Sequence, residues 1–512
     1  MISFVHAITV NGLDSTIVDI EVDINQWLPA FTIVWLADQW VQESKERLRS
    51  ALKSSGARIP PSRITVNLAP ANIKKTGPSF DLAIAVGILL DQGYIKNDDL
   101  VRESIFLWEL WLDGTLRSVP SILPATIGAQ QKGFTRIFIP AGNTKEASII
   151  PGIEVIKVEH LKELIDILNK DINYVPEPVL NLSEISQEQH LLAKNYDFSH
   201  IVGQQFAKRA LEIAAAGGHN IIMEGPPGSG KTMLAKAFSG ILPDLSLEEA
   251  IEISKIYSVS GLLSDEQPII SQRPFRAVHH TASGTSIIGW GRNARPGEIS
   301  LAHKGVLFLD EILEFPKTVL EVLRQPLEDG QITVTRVNAS YNYPAKFALL
   351  WAMNPCPCGY LTDPEKQCFC TPMQVANYRG RLSWPLVDRI DMFIEVPKVP
   401  TEDFQASKVQ TSESSEVIQK RVQQARDIQR RRFVGTHLHA NSEMSSKDIK
   451  IYCELDTEWD AILAQAVQSL HLSARSYYRI LKLARTIADL ENSDRILTSH
   501  LLEALSYRKK EE

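Results

Sequence analysis

Apolar residues in the first part of the chain occur in short runs, some with the spacing of strands and some with the spacing of helices. The predicted elements are strands at 4–10, 17–22 and 64–68 and helices at 41–53 and 80–90. The first two strands flank Asn11-Gly12, a dipeptide that is typical of a tight turn, and therefore form a predicted β-hairpin. Strands mixed with helices in this way predict an α/β layer fold for residues 1–171.

A second pattern begins at residue 220, where an apolar run leads through a glycine-rich loop into a helix at 233–235. The loop reads Gly225, Pro226, Pro227, Gly228, Ser229, Gly230, Lys231 and Thr232. Glycines let backbone N–H groups approach phosphate closely, Lys231 can reach the β- and γ-phosphates, and the Thr232 hydroxyl can bind Mg²⁺. The strand, loop and helix together predict a nucleoside-triphosphate site.

A third apolar run, 305–309, ends in the two carboxylates Asp310 and Glu311. In a P-loop enzyme such a strand places one carboxylate to hold Mg²⁺ and the next to polarise the attacking water. An acidic pair at the end of an ordinary buried strand is the alternative. The phosphate loop upstream favours the role in hydrolysis.

Polar stretches divide the chain into five parts. Residues 172–196 and 401–416 have the composition of linkers, and residues 417–512 have helical spacing in three segments, 416–433, 456–470 and 474–490. We therefore predict domains at 1–171, 197–400 and 417–512, without internal repeats.

Composition changes this picture little. The chain has 512 residues, 44% of them hydrophobic, and no run long enough to span a membrane. The first residues lack a basic region before an apolar stretch, so we expect no secretory signal and a cytoplasmic protein. The net charge of −7 argues against a generally basic nucleic-acid-binding surface, but it leaves room for a local basic patch.

Four of the five cysteines lie in two Cys-x-Cys pairs, Cys356 with Cys358 and Cys368 with Cys370. In a cytosolic chain such clustering favours a metal over disulfides, and four thiolates suit a tetrahedral zinc ion. Ordinary reduced thiols are the alternative, and no catalytic role is evident. Cys453 stands alone and is expected in the core.

With these motifs in place, residues 197–505 resemble the magnesium-chelatase-like AAA+ ATPases, and nearly the whole chain resembles the YifB/ComM family. The matching segments are 197–205, 295–303 and 354–359. The resemblance implies an α/β class fold with an AAA+ P-loop core, a separate C-terminal helical lid and an N-terminal Lon-protease-like domain of the S5 type. Gly203 and Gln204, in the first segment, are implied to contact the nucleotide.

The same resemblance implies three further catalytic residues. Asn354 follows the apolar run 347–350 and resembles the sensor-1 residue between the γ-phosphate and the water; a turn residue is the alternative. Arg389 resembles an arginine finger that acts on the nucleotide of a neighbouring subunit, with a surface ion pair to Asp388 or Asp391 as the alternative. Arg475 resembles sensor 2 and is expected to reach the nucleotide from the lid, unless it is an exposed helical arginine.

In the N-terminal domain the resemblance rests on residues 67–70 and 77–81, which include Ser79. A Lon-type protease pairs such a serine with a lysine, and Leu123 stands where that lysine would be. Ser79 is therefore expected to be inert. The domain is better interpreted as a docking or ring-building module than as a peptidase.

Two polar segments of the core, 275–295 and 331–346, resemble loops that line a central pore in the family. The second alternates like a hairpin and contains Arg336 and Lys346, which could follow a phosphate backbone through salt-sensitive contacts. Each basic residue could instead be a solvated loop charge.

These features imply a Mg²⁺- and ATP-dependent ring ATPase, expected to be a homohexamer that moves along single-stranded or branched DNA. By the resemblance, its task would be branch migration or helicase action in recombination and natural transformation. A chelatase-type motor subunit that remodels a protein partner is the alternative, whereas a Lon-like protease is disfavoured by Leu123. A non-enzymatic scaffold is disfavoured by the intact Asp310 and Glu311.

Eight tryptophans stand where the resembled family pattern has glycine or another small residue. They are Trp27, Trp35, Trp40, Trp108, Trp111, Trp290, Trp351 and Trp384. An indole at a position that needs a positive φ or a close backbone approach costs about 1–3 kcal/mol in strain or overpacking. We interpret these positions as UGA codons in a lineage that reads UGA as glycine. The tryptophans of this sequence would then come from translating UGA as tryptophan, and the cell would make glycine there. Tryptophans specific to the lineage or engineered, and a set of DNA-stacking aromatics, are the alternatives.

Overall fold

The computed structural model describes residues 2–34, 39–59, 61–71, 75, 80–180, 196–290, 294–336, 339–400, 413–454 and 474–508. These residues divide into two compact units. The first lies within Met1–Glu184 and Ala250–Ile270, and the second lies within Ile185–Glu249 and Ser271–Glu512. Both units are α/β, which confirms the predicted fold class at that level. The predicted five-part division stays a prediction.

The first unit is built on a seven-stranded mixed sheet with the strand order β3-β4-β2-β1-β5-β8-β9. Its strands are β1 Ser3–Asn11, β2 Asp14–Asn25, β3 Ala30–Val34, β4 Arg63–Ala69, β5 Ser104–Phe106, β6 Glu109–Leu110, β7 Leu116–Arg117, β8 Arg136–Pro140 and β9 Glu154–Val158. Its helices are α1 Gln39–Ser54, α2 Asp81–Asp91, α3 Asp98–Arg102, α4 Ile122–Gln131, α5 Thr144–Ala147 and α6 Leu161–Leu168. The antiparallel pairing of β1 with β2 confirms the predicted hairpin.

A segment from the middle of the chain completes this unit. Helix α9, Leu247–Ser260, buries Ile253 and Ile256. The Ser258 hydroxyl donates to the Glu146 carboxylate at 2.5 Å, and the Ser258 carbonyl accepts from the Ser121 N–H at 3.1 Å. Burial raises the pKa of Glu146, and this makes its hydrogen-bond donors important for keeping it in the interior.

The second unit contains a five-stranded parallel sheet with the order β11-β14-β17-β10-β18. Its strands are β10 Ile221–Glu224, β11 Phe275–Val278, β12 Gly289–Trp290, β13 Arg295–Pro296, β14 Val306–Leu309, β15 Gln331–Arg336, β16 Ala339–Pro344, β17 Ala348–Met353 and β18 Met392–Glu395. Strands β14 and β17 are buried along their whole length, as expected for a parallel sheet covered on both faces.

Helices surround this sheet. They are α7 Gln205–Gly217, α8 Lys231–Phe238, α10 Gly284–Ile288, α11 Glu298–Leu301, α12 Lys317–Val322, α13 Arg324–Asp329, α14 Pro372–Arg379, α15 Trp384–Val387, α16 Ser415–Arg432, α17 Ser446–Tyr452, α18 Ala474–Leu490 and α19 Thr498–Ser506. Residues of α16, α18 and α19 share one hydrophobic core with α7 and the sheet. The C-terminal helices thus belong to the same compact unit as the phosphate loop, and the separate lid that the resemblance implies stays a prediction.

The two segments that resemble pore loops, 275–295 and 331–346, differ in how far their predicted structure is confirmed. Residues 331–336 and 339–344 pair antiparallel, which confirms the hairpin, although the Arg336 side chain lies outside the described part of the molecule. The segment 275–295 is only partly a loop, because residues 275–278 form β11 at the edge of the main sheet. Lys346 lies 3.5 Å from Glu443, so this cation already has an anionic partner.

The tryptophans whose side chains the structure describes range from fully buried to largely exposed. Trp108 is buried and its Nε1–H donates to the Phe138 carbonyl at 3.0 Å, whereas Trp27 is 72% exposed. Trp351 is buried in β17, and its Nε1–H has no hydrogen-bond partner among the described residues. No tryptophan with a described backbone has a positive φ, so the expected backbone strain is absent there. The codon hypothesis itself stays a prediction.

Some predictions fall outside the described residues. They concern Ser79, the helix 456–470, and most of both linkers. Leu123 is described, and it lies buried in α4, where its backbone N–H donates to Glu146 at 2.9 Å.

Candidate functional site

Strand order brings the predicted catalytic residues to one edge of the parallel sheet. Because β14, β17 and β10 are neighbours, the residues that follow their carboxyl ends lie side by side. These residues are Asp310 after β14, Asn354 after β17 and Gly225 after β10. The Gly225 N–H donates to the Met353 carbonyl at 3.2 Å, which holds the start of the phosphate loop against the strand that leads to Asn354.

The phosphate loop from Gly225 to Thr232 has the backbone expected of an anion cradle. Gly228 and Gly230 have φ values of 78° and 94°, a region that favours glycine, and helix α8 begins at Lys231 directly after them. The Ser229 hydroxyl is buried and has no hydrogen-bond partner among the described residues. A buried unpaired hydroxyl in a loop of this shape fits a phosphate-binding role.

Lys231 points back over the loop that precedes it. Its ammonium donates to the carbonyls of Gly225 at 2.7 Å and Pro226 at 2.9 Å, and to Asn354 Oδ1 at 3.3 Å. Burial lowers the pKa of Lys231, while the carboxylates of Asp310 and Glu311 act in the opposite direction. The ammonium and the sensor-type amide therefore lie within hydrogen-bond distance of each other, at the place where a γ-phosphate is expected.

The predicted Mg²⁺ ligands are also together. The Thr232 hydroxyl donates to Asp310 Oδ2 at 2.8 Å, so the two oxygens are close enough to share one ion directly or through water. Glu311 adopts a left-handed backbone with φ 52°, which is uncommon for a residue with a Cβ atom and occurs often at active sites. Its side chain is 49% exposed, so water can reach it.

Gly203 and Gln204 lie beside the phosphate loop. The Gln204 side-chain amide donates to the Pro397 carbonyl at 2.5 Å and to the Ser229 carbonyl at 3.5 Å. Both residues have a positive φ, 64° for Gly203 and 58° for Gln204. The segment that precedes α7 is thus tied to the phosphate loop on one side and to the residues after β18 on the other.

The two arginines predicted to sense nucleotide lie at the opposite edge of the sheet. Arg389 precedes β18, and its carbonyl accepts from the side chain of Asn220, the residue before β10. Its guanidinium is nearly buried and pairs with Glu328. Arg475 donates to Asp388 at 2.8 Å and is half exposed. Among the described residues Arg475 pairs with Asp388 and not with the phosphate loop of its own chain, and its role in sensing nucleotide stays a prediction.

The four clustered cysteines lie close to one another, with all four Sγ atoms within 4.8 Å. The Tyr360 backbone N–H stabilises the Cys358 thiolate and lowers the pKa of that thiol to about 6. All five cysteines are free, and Cys453 is buried. The cluster is compatible with a structural zinc ion.

Two polar pairs of this site were not assigned a role in catalysis from the sequence. Arg379, on α14, donates to Glu224 at 2.8 Å, immediately before the phosphate loop. His280 Nδ1 lies 3.3 Å from Glu311 Oε2, and the His279 ring lies beside the His280 ring, tilted by 37°, at 4.0 Å between centroids. In the sequence both histidines lie within the segment 275–295 and carry no predicted role of their own. Their position directly after β11, which pairs with β14, is the signal that could have placed them beside Glu311.

Comparison with known families gives three matches along the chain. Residues 20–143 match the description "Subunit ChlI of Mg-chelatase", residues 197–404 match "Magnesium chelatase, subunit ChlI", and residues 412–508 match "Magnesium chelatase, subunit ChlI C-terminal". The three matches follow one another and include every residue of the site.

Individual relatives extend this similarity to the full length. The chain is 42% identical to "Competence protein ComM" of Haemophilus influenzae, over 97% of this chain and 95% of the relative. It is 40% identical to YifB of Escherichia coli, over 99% and 97%. It is 23% identical to "Magnesium-chelatase subunit ChlI" of Mesostigma viride, over 61% and 85%. No helix within the described ranges is both long and apolar enough to cross a membrane.

Proposed function

Because the chain belongs to the YifB/ComM family of magnesium-chelatase-like AAA+ ATPases, we propose that it is an ATP-driven ring motor that acts on DNA. ATP and Mg²⁺ are the cofactors that this family implies.

Within one subunit the residues at the carboxyl edge of the sheet divide the chemistry between them. Lys231 and the N–H groups of the phosphate loop bind the phosphates, and Thr232 and Asp310 would hold Mg²⁺, which neutralises charge on the phosphate oxygens. Glu311 orients the attacking water and accepts its proton. The Asn354 amide, 3.3 Å from the Lys231 ammonium, fixes the water relative to the γ-phosphate.

The separation of Arg389 from its own phosphate loop is the observation that carries the proposal of a ring. The loop leaves the carboxyl edge of β10, whereas Arg389 lies at the amino edge of the parallel neighbour β18. An arginine there can stabilise phosphate charge only in another subunit. Head-to-tail contacts of this kind close into rings, and we propose a homohexamer. Arg475 lies at the same edge, so we assign it to the same neighbouring site.

Mixing two inactive variants tests the shared site. Lys231→Ala should remove nucleotide binding in its own loop, and Arg389→Ala should lower hydrolysis by about 10³-fold or more in the neighbour. In an equal mixture about a quarter of the interfaces combine an intact loop with an intact Arg389, so activity should return to that extent. Two mixed variants that stay inactive would contradict the shared site, provided that a tag on one variant also recovers the other from the mixture.

DNA as the substrate is drawn from the resemblance and from the relative named as a competence protein. The test is ATP hydrolysis by the full chain at low salt, with and without forked or four-way DNA, and strand separation on the same substrates. DNA should stimulate hydrolysis, and Glu311→Gln should abolish both activities. ATP hydrolysis that DNA does not stimulate, with no strand separation, would agree with an ATPase and contradict DNA as its substrate.

A second candidate is favoured by the match of all three segments to ChlI. In this alternative the ring remodels a protein partner with the same ATP chemistry. Hydrolysis that is indifferent to every DNA form but stimulated by a purified partner protein would favour it. In either case we propose that the N-terminal unit docks partners or supports the ring, and that the cysteine cluster holds structural zinc.

A further inference from the structure

The distances within the cysteine cluster suit one kind of occupant. Sγ of Cys356 lies 3.4 Å from Sγ of Cys358 and 3.7 Å from Sγ of Cys368, and the latter two are 3.6 Å apart. A disulfide requires about 2.05 Å. Four sulfurs at the usual zinc distance of about 2.3 Å form a tetrahedron with edges of about 3.8 Å. The observed spacing therefore fits a tetrathiolate metal site and does not fit two disulfides.

The segment that carries these cysteines lacks a hydrophobic core of its own. Of residues 356–370 only Cys356 and Gly359 are buried, and Phe369 is 83% exposed. A backbone N–H, that of Cys370, is directed at the Cys368 sulfur at 3.4 Å, as is common around thiolate ligands. Segments with so little apolar burial usually depend on a staple such as a metal for their order.

This cysteine knuckle, residues 356–370, lies directly on the nucleotide site. A Cβ atom at Gly359 would come within 2.6 Å of Pro227 Cδ and 2.7 Å of Pro227 Cγ, in the middle of the phosphate loop. Asn354, which reaches Lys231, lies two residues before the knuckle, at the same end as Gly359. The short segment 354–359 thus packs against the phosphate loop through Gly359 and carries the sensor-type residue Asn354.

We propose that zinc held by the cysteine knuckle braces Pro227 and Asn354, so that metal occupancy sets the affinity for nucleotide. The inference rests on the proposed ATP and zinc sites and is independent of DNA. The brace consists of this chain's own contacts, namely the packing of Gly359 on Pro227 and the short connection from Cys356 to Asn354. Without the metal, the knuckle keeps local hydrogen bonds, such as that from the Gly359 N–H to the Cys356 carbonyl at 2.9 Å, and an exposed ion pair of Glu365 with Lys398.

The first test measures the metal. Full-length protein should contain one zinc ion per chain by elemental analysis, and Cys368→Ser should lose it, while the control Cys453→Ala should keep it. Cobalt in place of zinc should give the intense thiolate absorption of a tetrahedral site. Substoichiometric zinc in wild-type protein after reconstitution, or equal zinc in Cys368→Ser, would overturn the site.

The second test measures the brace without touching a ligand. Gly359→Ala should keep zinc but bind ADP at least about tenfold more weakly, because the new methyl group displaces Pro227. Gly435→Ala is the matched control, since its φ of 82° is close to the 81° of Gly359 but no atom of a non-adjacent described residue lies within 4 Å of the new carbon. Equal ADP affinity of the two variants would refute the brace, even if zinc is bound and ATP is hydrolysed.

Zinc removal gives a third measurement that does not depend on a variant. Zinc-free wild-type protein that remains folded by circular dichroism should lose ADP affinity to the same extent as Gly359→Ala, and added zinc should restore it. Unchanged affinity after removal overturns the inference. Loss of DNA stimulation alone, with normal zinc and normal ADP affinity, would count against the proposed function and not against the brace.

Discussion

An alanine at Gly225 is a direct test of how the phosphate loop is packed. The new Cβ would lie 2.1 Å from the carbonyl oxygen of Val396 and 3.1 Å from its carbonyl carbon. Both atoms belong to backbone at the end of β18, so no side chain can rotate out of the way. Normal contact requires the loop and this backbone to separate by roughly 1 Å.

The magnitude follows from that displacement. Overpacking of this kind costs about 1–3 kcal/mol of unfolding free energy, which corresponds to a few degrees in the melting temperature. A displacement of about 1 Å at reacting groups can lower catalysis by up to about 10²-fold. We therefore expect Gly225→Ala to melt earlier and to lose ATP hydrolysis more severely than its stability loss alone would suggest.

The assay compares this variant with Gly240→Ala. A Cβ at Gly240 meets the Ser415 Cβ at 3.5 Å, which is ordinary contact, so this control should melt and hydrolyse ATP like wild type. Thermal unfolding and ATP hydrolysis are measured on both proteins. If Gly225→Ala were as stable and as active as Gly240→Ala, the close packing of the phosphate loop against the end of β18 would be wrong.

Three further predictions use other parts of the chain. Glu311→Gln should lower ATP hydrolysis at least about 10²-fold and leave ADP affinity unchanged, and a parallel loss of affinity would argue against its role as a base. Burial alone would raise the pKa of Glu249, but Arg273 at 2.8 Å lowers it to about 2 from an ordinary 4.5. The ionised Glu249 contributes about 3 kcal/mol to the free energy of unfolding above pH 4.5, and this contribution is lost as the pH falls towards 2. In chemical denaturation, Glu249→Gln should therefore be less stable than wild type at pH 6 and should approach wild type at pH 2–3. Mass spectrometry of the protein from its native cells should show glycine masses in the peptides that contain Trp27 and Trp108, and tryptophan masses there would refute the codon hypothesis.

Much of the site could be predicted from the sequence because its signals are local. The phosphate loop follows a strand and opens a helix, and the run 305–309 ends in Asp310, so short-range pattern sufficed for both. The hairpin 331–344 was likewise readable from alternation. Parallel strands then bring these loop residues to one edge of the sheet without any further information.

Contacts between distant parts of the chain were not readable in this way. The partner of Arg475 is Asp388, 87 residues away, and the side of the sheet on which it lies depends on how α18 packs. The knuckle's contact with Pro227 likewise joins residues separated by more than a hundred positions. Periodicity reports which residues are buried but carries no information about which buried surfaces meet.

The sharing of the chain between the two units has a practical consequence for anyone who shortens the protein. The backbone passes from one unit to the other three times, near residues 184, 249 and 270. A truncation that begins at residue 185 would therefore leave 250–270 without the partner that buries Ile253 and Ile256, and a fragment 1–184 would lack the same segment. A single protease cut between 184 and 185 would give two chains, 1–184 and 185–512, with no covalent bond between them, and only the packing of 250–270 within the first unit would hold them together. Deletion of the N-terminal unit avoids exposing the apolar residues of 250–270 only if a short linker also replaces that segment.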